Sequence, residues 1–500
     1  MESLIIRRRA TQWLCSRNSC RIKQRMLRAY SNATSKPDIY DVVCVGGGPA
    51  GLSLLTALRS SAATSNLRVA LVEAQDLSKT KSFNLPPTQY SNRCSSLTAS
   101  SCQFLHEIGA WDHLQQDRMT RYQDMRVWDG VSGASIEFEY ERTHGVQNAG
   151  GQGMACMVEN LNLTSGLLKR LEELGGVSTF DKSKVESISF GEETEDGADL
   201  REWPVVHLAG GKQLHARLLV GADGANSPVR SFAGINASGW DYNRHGVVAT
   251  LQLEQTGYDT FTPGDPYEAP KVAYQRFLPT GPVAMLPMPG NYSTLVWSTT
   301  PQNAALLKSL SPKDFIAMVN AAFRLSTVDL GYLHTQTSNQ AEEISWRLQH
   351  TPVDAHAVPA PVIGVQENSV ASFPLKFRHA DTYIAERVAL VGDAAHTVHP
   401  LAGQGLNMGQ GDVQSLAKTI QFAVEHGLDI GATMSLEAYN AERYAANHVL
   451  MGVCDKLHKL YSVGSGPLVP LRSLGLNLVN SLSPLKGFLM ERAAGNGKVF

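Results

Sequence analysis

Short, largely apolar runs recur along this chain, several of them leading into glycine, and a helical spacing follows some of these. Tyr40 to Val45 runs into Gly46-Gly47-Gly48-Pro49-Ala50-Gly51, after which Leu52, Leu55 and Leu58 recur every third residue. Arg68 to Glu73 is a second run and closes on an acid. A strand covered on both faces reads as a continuous apolar run rather than an alternating one, so the predicted unit is strand, helix, parallel strand. Leu218-Leu219-Val220 leads into another glycine-rich turn, Gly221-Ala222-Asp223-Gly224. Val388 to Val391 leads into Gly392-Asp393 and then Pro400-Leu401-Ala402-Gly403-Gln404-Gly405. Past that turn Leu406, Gly409, Val413, Leu416, Ala417 and Ile420 predict a helix beginning near Gly405.

Elsewhere the period changes. Arg126 to Tyr140 alternates and predicts a hairpin turning at Ser132-Gly133, and four strand-like runs between Gly246 and Thr299 predict one antiparallel sheet. Residues 98 to 115 read as helix, and Met154 to Leu174 as strand and then helix. Residues 78 to 93, the acidic stretch 191 to 204 and the span from 350 to 370 read as loop. The fold class is therefore α/β: a Rossmann-like parallel sheet domain with an interleaved antiparallel-sheet domain and C-terminal helices. The boundaries fall at 38–84, 150–240 and 372–425 for the nucleotide-binding domain, 85–149 and 241–371 for the substrate domain and connecting segments, and 426–500 for the helical end. From Pro467 to Met490, leucines at spacings of three and four describe a helix that either lies at a membrane interface or packs on the body.

Composition changes this picture at the N-terminus. Within residues 1–30 eight arginines and lysines face a single acid, Glu2, which is transit-peptide chemistry. Cleavage is expected after Tyr30, where Arg28-Ala29-Tyr30-Ser31 has the form of a mitochondrial processing site. The remainder holds 36 basic against 45 acidic residues, a net charge of −9 that disfavours nucleic acid. No stretch approaches the ~20 apolar residues of a spanning helix. The seven cysteines show no CxxC spacing and are expected as free thiols.

The glycine turns carry the chemistry. Gly46, Gly48 and Gly51 match the dinucleotide fingerprint, in which three glycines allow a tight turn, approach of a pyrophosphate and close helix packing. Glu73 ends the next strand, where a carboxylate can receive ribose hydroxyls. Gly392-Asp393 offers a second carboxylate and the turn after it a helix N-terminus. His396 and His399 lie between them. Two histidines are too few for a metal site, so packing or hydrogen bonding is expected of each.

In chain order, GxGxxG, then GADGxxSxxR from Gly221 to Arg230, then GDAAH…PxxGQG from Gly392 to Gly405 resembles the flavoprotein aromatic hydroxylases. Val158-Glu159-Asn160, the run Tyr274 to Pro282, Leu295 to Ser298 and Ser372 to Leu375 resemble its ubiquinone-biosynthesis branch. The resemblance runs from about Asp38 to the C-terminus. It implies FAD, a flavin hydroperoxide as oxygen donor, and hydroxylation of a polyprenylated 4-hydroxybenzoate at ring carbon 5. It also implies ferredoxin and its reductase as electron source, other ubiquinone-biosynthesis proteins as partners, and a peripheral place on the matrix face of the mitochondrial inner membrane.

Carried over by residue, the resemblance gives Gly46, Gly48 and Gly51 the pyrophosphate, Glu73 the adenosine ribose, and Arg93 a phosphate or ribityl oxygen. Asp223 and Gly224 lie near the pyrophosphate, and Gly392 and Asp393 at the ribityl chain. Gly403, Gly405 and Asn407 complete the cofactor site, with Pro400, Gly403 and Gln404 as the loop against the flavin ring. Two other readings stay open: an NAD(P)H-dependent hydroxylase of a small aromatic acid, and a non-enzymatic prenyl-binding scaffold of the same fold.

Overall fold

The computed structural model describes residues 37–139, 153–193, 199–255, 271–400 and 403–481. The transit-peptide segment 1–30, Leu401-Ala402 and the end of the C-terminal run fall outside them. From Ile39 onward the chain forms one compact unit, built around two large sheets whose strands interleave in sequence.

The first sheet has β1 (Ile39–Val45) at its centre. It lies parallel to β2 (Val69–Val72) on one side and to β11 (Gln213–Gly221) on the other. Outward from these run β8 (Val177–Phe180) and β19 (Val388–Leu390), also parallel. β9 (Val185–Phe190), β10 (Pro204–Leu208) and β18 (Ile384–Ala385) are added antiparallel. Val42, Val43, Cys44, Val69 and Leu219 are fully buried, as continuous apolar runs between two covered faces require. The glycine turns after β1, β11 and β19 therefore open on the same sheet edge, at the carboxyl ends of neighbouring parallel strands. Helix α1 (Pro49–Ser60) starts directly from the first of them.

A small sheet of β3 (Cys94–Thr98), β4 (Thr120–Tyr122) and β7 (Ala155–Glu159) flanks this edge, with α2 (Ala99–Glu107) and α3 (Asn160–Leu174) as its helices. The second large sheet contains the expected hairpin, β5 (Asp124–Asp129) with β6 (Ser135–Glu139). It also contains β12 (Ala237–Leu253), β13 (Val272–Leu278), β14 (Gly281–Pro287) and β15 (Tyr292–Thr299), which pair antiparallel as anticipated. β5 joins β13 in parallel, so the hairpin extends this sheet.

The helix read over 98–115 ends at Glu107, a short helix, Leu77–Lys81, runs into the expected loop, and three larger features depart from the sequence reading. The helices α4 (Pro301–Ser309), α5 (Pro312–Arg324), α6 (Thr327–Leu333) and α7 (Gln340–Gln349) went unpredicted. They bury Phe315, Met318 and Phe323 with Trp297 and Met285 of the sheet, so that face is ordinary core. The span 350–370 contains β16 (Val362–Val365), paired with β12. The strand β17 (Ala371–Ala380), placed by sequence with the nucleotide-binding segments, pairs instead along β12, and its far edge carries β20 (His396–Thr397). Through β17 and β20 the two sheets share the segment that follows β19.

The C-terminal helices are α8 (Gln404–Glu425), α9 (Thr433–Tyr461) and α10 (Leu468–Ser481). No helix among the described residues is long and apolar enough to cross a membrane. Helix α10 is packed on the body at one face, where Leu476 and Val479 join a cluster with Val127, Ile136 and Val398. Its other face leaves Leu471, Leu474 and Leu478 exposed. Arg472 locks the helix down: it donates from Nε and Nη2 to the two oxygens of Asp129 at 2.9 and 3.0 Å, and from Nη1 to the carbonyls of Leu460 and Val463. Both side chains are fully buried. Removing one partner strands the other in a water-excluded site, which costs about 3–5 kcal/mol. Asp129→Ala is therefore expected to lower the unfolding free energy by about that amount, measured by urea denaturation followed by circular dichroism.

Candidate cofactor site

Each glycine of the first turn answers a different steric demand. Gly46 has φ +115°, and a Cβ there would lie 2.2 Å from the Ala222 carbonyl oxygen. At Gly51 a Cβ would lie 2.0 Å from the Gly46 carbonyl oxygen and 3.1 Å from Cys44 Sγ. Those two positions are closed by the protein itself, since they let the turn after β1, the turn after β11 and helix α1 touch. Gly48 is the opposite case: nothing lies within 4 Å of a Cβ there. It caps α1 without any side-chain hydrogen bond, and Pro49 occupies the first turn. The α1 N-terminus thus presents backbone N–H groups and the positive end of its dipole to open space, which suits a phosphate.

Glu73 stands beside this turn. Its Oε2 accepts from Gly47 N at 2.6 Å and its Oε1 from Gln75 N at 2.7 Å. The carboxylate is oriented by two backbone donors and keeps lone pairs for hydroxyls. Across the turn, Asp223 Oδ2 accepts from Val229 N at 3.2 Å, while its buried Oδ1 has no partner. Burial raises its pKa against the pull of Ser227 and the Val229 N–H. Gly224 has φ +85° and open space before it. Arg230 joins this turn to the next, donating to the Ala394 and Ala225 carbonyls at 2.7 and 2.8 Å.

The third turn brings a second uncapped helix end. Gly403, at φ +61°, is the N-cap of α8 and receives no side-chain cap. Behind it, Gly392, Gly409 and Ala50 meet: a Cβ on Gly392 would sit 3.4 Å from Ala50 Cβ, and one on Gly409 3.4 Å from Gly392 Cα. Small residues at this crossing let α1 and α8 start side by side. Asp393 is exposed beside them. Gly405 has room, with only Val398 at 3.8 Å.

Asn407 and Arg93 behave differently from the other predicted residues. The Asn407 amide is engaged by protein: its Oδ1 accepts from Thr98 N and Ser101 Oγ, and its Nδ2 donates to the Ser96 and Gly403 carbonyls. It clamps β3 and α2 to the start of α8, which makes it a positioning residue. The Arg93 side chain is exposed, at the end of a loop fastened by a pair that sequence reasoning left without a role. Arg118 donates to both oxygens of Glu159 at 2.7 and 3.0 Å and to the Leu85, Pro86 and Gln89 carbonyls, and Ser91 N adds a bond to Glu159. An acid inside the apolar strand Ala155–Glu159 was the readable signal for a buried partner.

Asp412 was likewise passed over, although an acid on the apolar face of α8 carries the same signal. Fully buried, its Oδ2 is 2.6 Å from His396 Nε2 and accepts from Gly392 N at 3.1 Å. Its Oδ1 accepts from Arg443 Nε at 3.1 Å and Asn447 Nδ2 at 2.8 Å. Burial alone would raise this carboxyl, but the charge and hydrogen bond of His396, with Arg443 and Asn447, hold it down at about 2. His396 is thus a hydrogen-bonding residue, as expected. His399 packs as expected against Tyr242 and His458, yet both its ring nitrogens are buried without partners.

The donor set fits FAD: an open, uncapped helix end for a pyrophosphate, a fixed carboxylate for a ribose, and a second helix end for the electron-rich edge of an isoalloxazine. The fold and site define a flavin-dependent oxidoreductase. Residues 39–451 match the FAD binding domain family, to which the chain belongs. Within it the chain stands among the ubiquinone-biosynthesis monooxygenases. It is 41% identical over 485 residues to the Saccharomyces cerevisiae protein named ubiquinone biosynthesis monooxygenase COQ6, mitochondrial, covering 93% of this chain and 96% of that one. The Homo sapiens protein of the same name is 37% identical over 468 residues, covering 93% and 95%. Among solved structures, p-nitrophenol 4-monooxygenase from Pseudomonas putida DLL-E4 shares the fold, with a TM-score of 0.62 at 17% identity over 93% of this chain and 100% of that one. The protein is an FAD-dependent monooxygenase.

Two outcomes follow from the geometry. Stripped of flavin, Gly48→Ala should melt like the native apoprotein yet fail to take up FAD, whereas the Gly51→Ala apoprotein should lose thermal stability as well; differential scanning calorimetry of the apoproteins and flavin absorbance after adding FAD separate the two. Asp412 contributes stability that is complete above the ordinary carboxylate value of 3.8 and disappears as pH falls through about 2. Asp412→Asn should abolish that acid-limb loss, about 2 kcal/mol, in urea unfolding curves collected between neutral pH and the acid limb.

Proposed function

We propose that this monooxygenase hydroxylates ring carbon 5 of a polyprenylated 4-hydroxybenzoate-type intermediate of ubiquinone biosynthesis. The observation that carries this reading is the end-to-end likeness to relatives named for that pathway, with 41% identity across 96% of the yeast relative. The same relatives are named mitochondrial, which supports a mitochondrial site of action; the peripheral place on the matrix side of the inner membrane is part of the proposal. Ferredoxin and its reductase would supply electrons, and other ubiquinone-biosynthesis proteins would form the surrounding complex.

In this reading the α1 N-terminus at Gly46, Gly48 and Gly51 holds the pyrophosphate and Glu73 the adenosine ribose. Asp223 and Gly224 flank the pyrophosphate, Arg93 reaches a phosphate or ribityl oxygen, and Gly392-Asp393 receives the ribityl hydroxyls. Pro400, Gly403, Gln404 and Gly405 border the flavin ring. When bound, FAD supplies the activation of dioxygen, and the chain supplies orientation, electrostatic bias and exclusion of water. The positive end of α8 favours negative charge at the ring edge nearest Gly403. The substrate ring would lie beside the cluster of Tyr90, Tyr122, Met157, Ala273 and Met288. Tyr122 OH there lies 2.8 Å from Ser96 Oγ, and Ser96 Cβ is 3.6 Å from where a Cβ on Gly403 would stand.

Mass spectrometry of quinone intermediates in cells lacking this protein tests the reading. Accumulation of a polyprenyl 4-hydroxyphenol without the ring-5 oxygen is expected, and an unchanged quinone pool would sink it.

A further inference from the structure

We propose that His399, His458 and Tyr242 form a proton path from the protein surface to the loop that borders the flavin ring. The inference rests on the placement of that ring against Pro400–Gly405, and His399 is the residue immediately before the loop.

The cluster is unusual in what it leaves unpaired. His399 is 0% exposed and has no hydrogen-bond partner at either ring nitrogen; His458, 7% exposed, has none at Nδ1. A buried donor or acceptor left unpaired is destabilising, so an apolar side chain would serve packing better. The three rings nonetheless stay together. Tyr242 stands edge-on to His399 and to His458 at centroid distances of 5.0 and 4.8 Å, and the two imidazoles lie 4.7 Å apart.

The path continues outward. Tyr242 OH donates to Asp455 Oδ1 at 3.2 Å, and Asp455 Oδ2 pairs at 2.8 Å with Lys459, whose side chain is 62% exposed. From the flavin loop to solvent the order is therefore His399, then the His458 and Tyr242 rings, then Asp455 and Lys459. β12 contributes Tyr242 and Arg244 to the surroundings, and α9 contributes Cys454, Asp455, His458 and Lys459. Burial, helped by His458 and Arg244, pushes the His399 pKa down to about 3; burial and Arg244 push His458 down to about 4. Both rings are neutral at physiological pH. A neutral imidazole holds one N–H and one free nitrogen, so it can accept a proton on one side and release one on the other. For the proposed path, ring rotation or a bridging water must carry the proton across the ring-to-ring contacts.

The chemistry needs such a supply. Monooxygenation converts one aromatic C–H, one dioxygen, two electrons and two protons to one C–O–H and one water. Without a substrate ring, dioxygen, two electrons from the reduced flavin and two protons give hydrogen peroxide. In either case protons must reach the reacting oxygen.

The test uses the full-length holoenzyme without aromatic substrate, so that an error in the substrate assignment leaves it unaffected; flavin absorbance of the native protein checks the cofactor assignment separately. In His399→Leu the melting temperature should stay level or rise, FAD should remain bound, and the pH dependence of the flavin midpoint potential should be unchanged. Reoxidation of the dithionite-reduced flavin by dioxygen, read as peroxide formed, should slow by about tenfold or more and recover on adding free imidazole. An unchanged rate overturns the proposal. So does a slowed rate that imidazole fails to restore, or a shifted potential, which would make His399 an electrostatic neighbour of the flavin. Should His399→Leu fail to fold, Tyr242→Phe keeps the ring, removes only the O–H to Asp455, and decides by the same readouts.

Discussion

The carboxylate of Asp412 is the interaction on which the candidate cofactor site depends. It is taken out of water completely and receives four donors from three parts of the chain: Gly392 at the end of the parallel sheet, His396 on the strand shared with the second sheet, and Arg443 and Asn447 on α9. A buried charge is tolerable only when its lone pairs are met. Meeting them draws the strand end, the following turn and two long helices to fixed distances. Neighbouring polar groups continue the network: Asn447 also donates to Tyr383 OH at 3.3 Å, that hydroxyl lies 2.8 Å from His379, and Tyr439 donates to the Leu390 carbonyl. The turn that carries Gly392-Asp393 is held from behind by this network, so its front is free to face a ligand.

With the back of the turn fixed, absent side chains shape the front. Glycine within a helix is unfavourable by roughly 0.5–1 kcal/mol relative to alanine, yet α8 contains Gly405, Gly409 and Gly411. A Cβ at Gly411 would come within 2.8 Å of Arg443, and Gly409 lies against Gly392. These glycines exchange local helix stability for the close approach that lets Arg443 reach Asp412 and lets α8 begin beside α1. Two helix N-termini then share one crevice without side-chain caps, an arrangement that leaves donors for a ligand.

The remaining buried ion pairs do the same work for loops. Arg118 with Glu159 fastens residues 85–91, and so positions Arg93. Arg472 with Asp129 fastens α10 to the end of β5. In each case an arginine fork satisfies a carboxylate and several carbonyls at once, which a single-point lysine could not do.

What the sequence determined alone was local. Apolar runs leading into glycine predicted the strands of the parallel sheet, alternation predicted the hairpin, strand-like runs predicted the antiparallel strands, and three spaced motifs marked the turns that form the candidate site. These signals are legible because glycine and strand periodicity report backbone demands within a few residues. The helices from 301 to 349 escaped, although Phe315, Met318, Val319 and Ala322 mark the buried face of one, and β16 was hidden in a polar span. Only the tertiary structure decided that β17 belongs to the second sheet, that Asn407 clamps β3 instead of facing open space, and that Asp412, Glu159 and Asp129 have arginine partners. Those partners lie 31, 41 and 343 residues away in sequence. No local period encodes such a distance. The cost of leaving a buried carboxylate unpaired selects it when the chain folds.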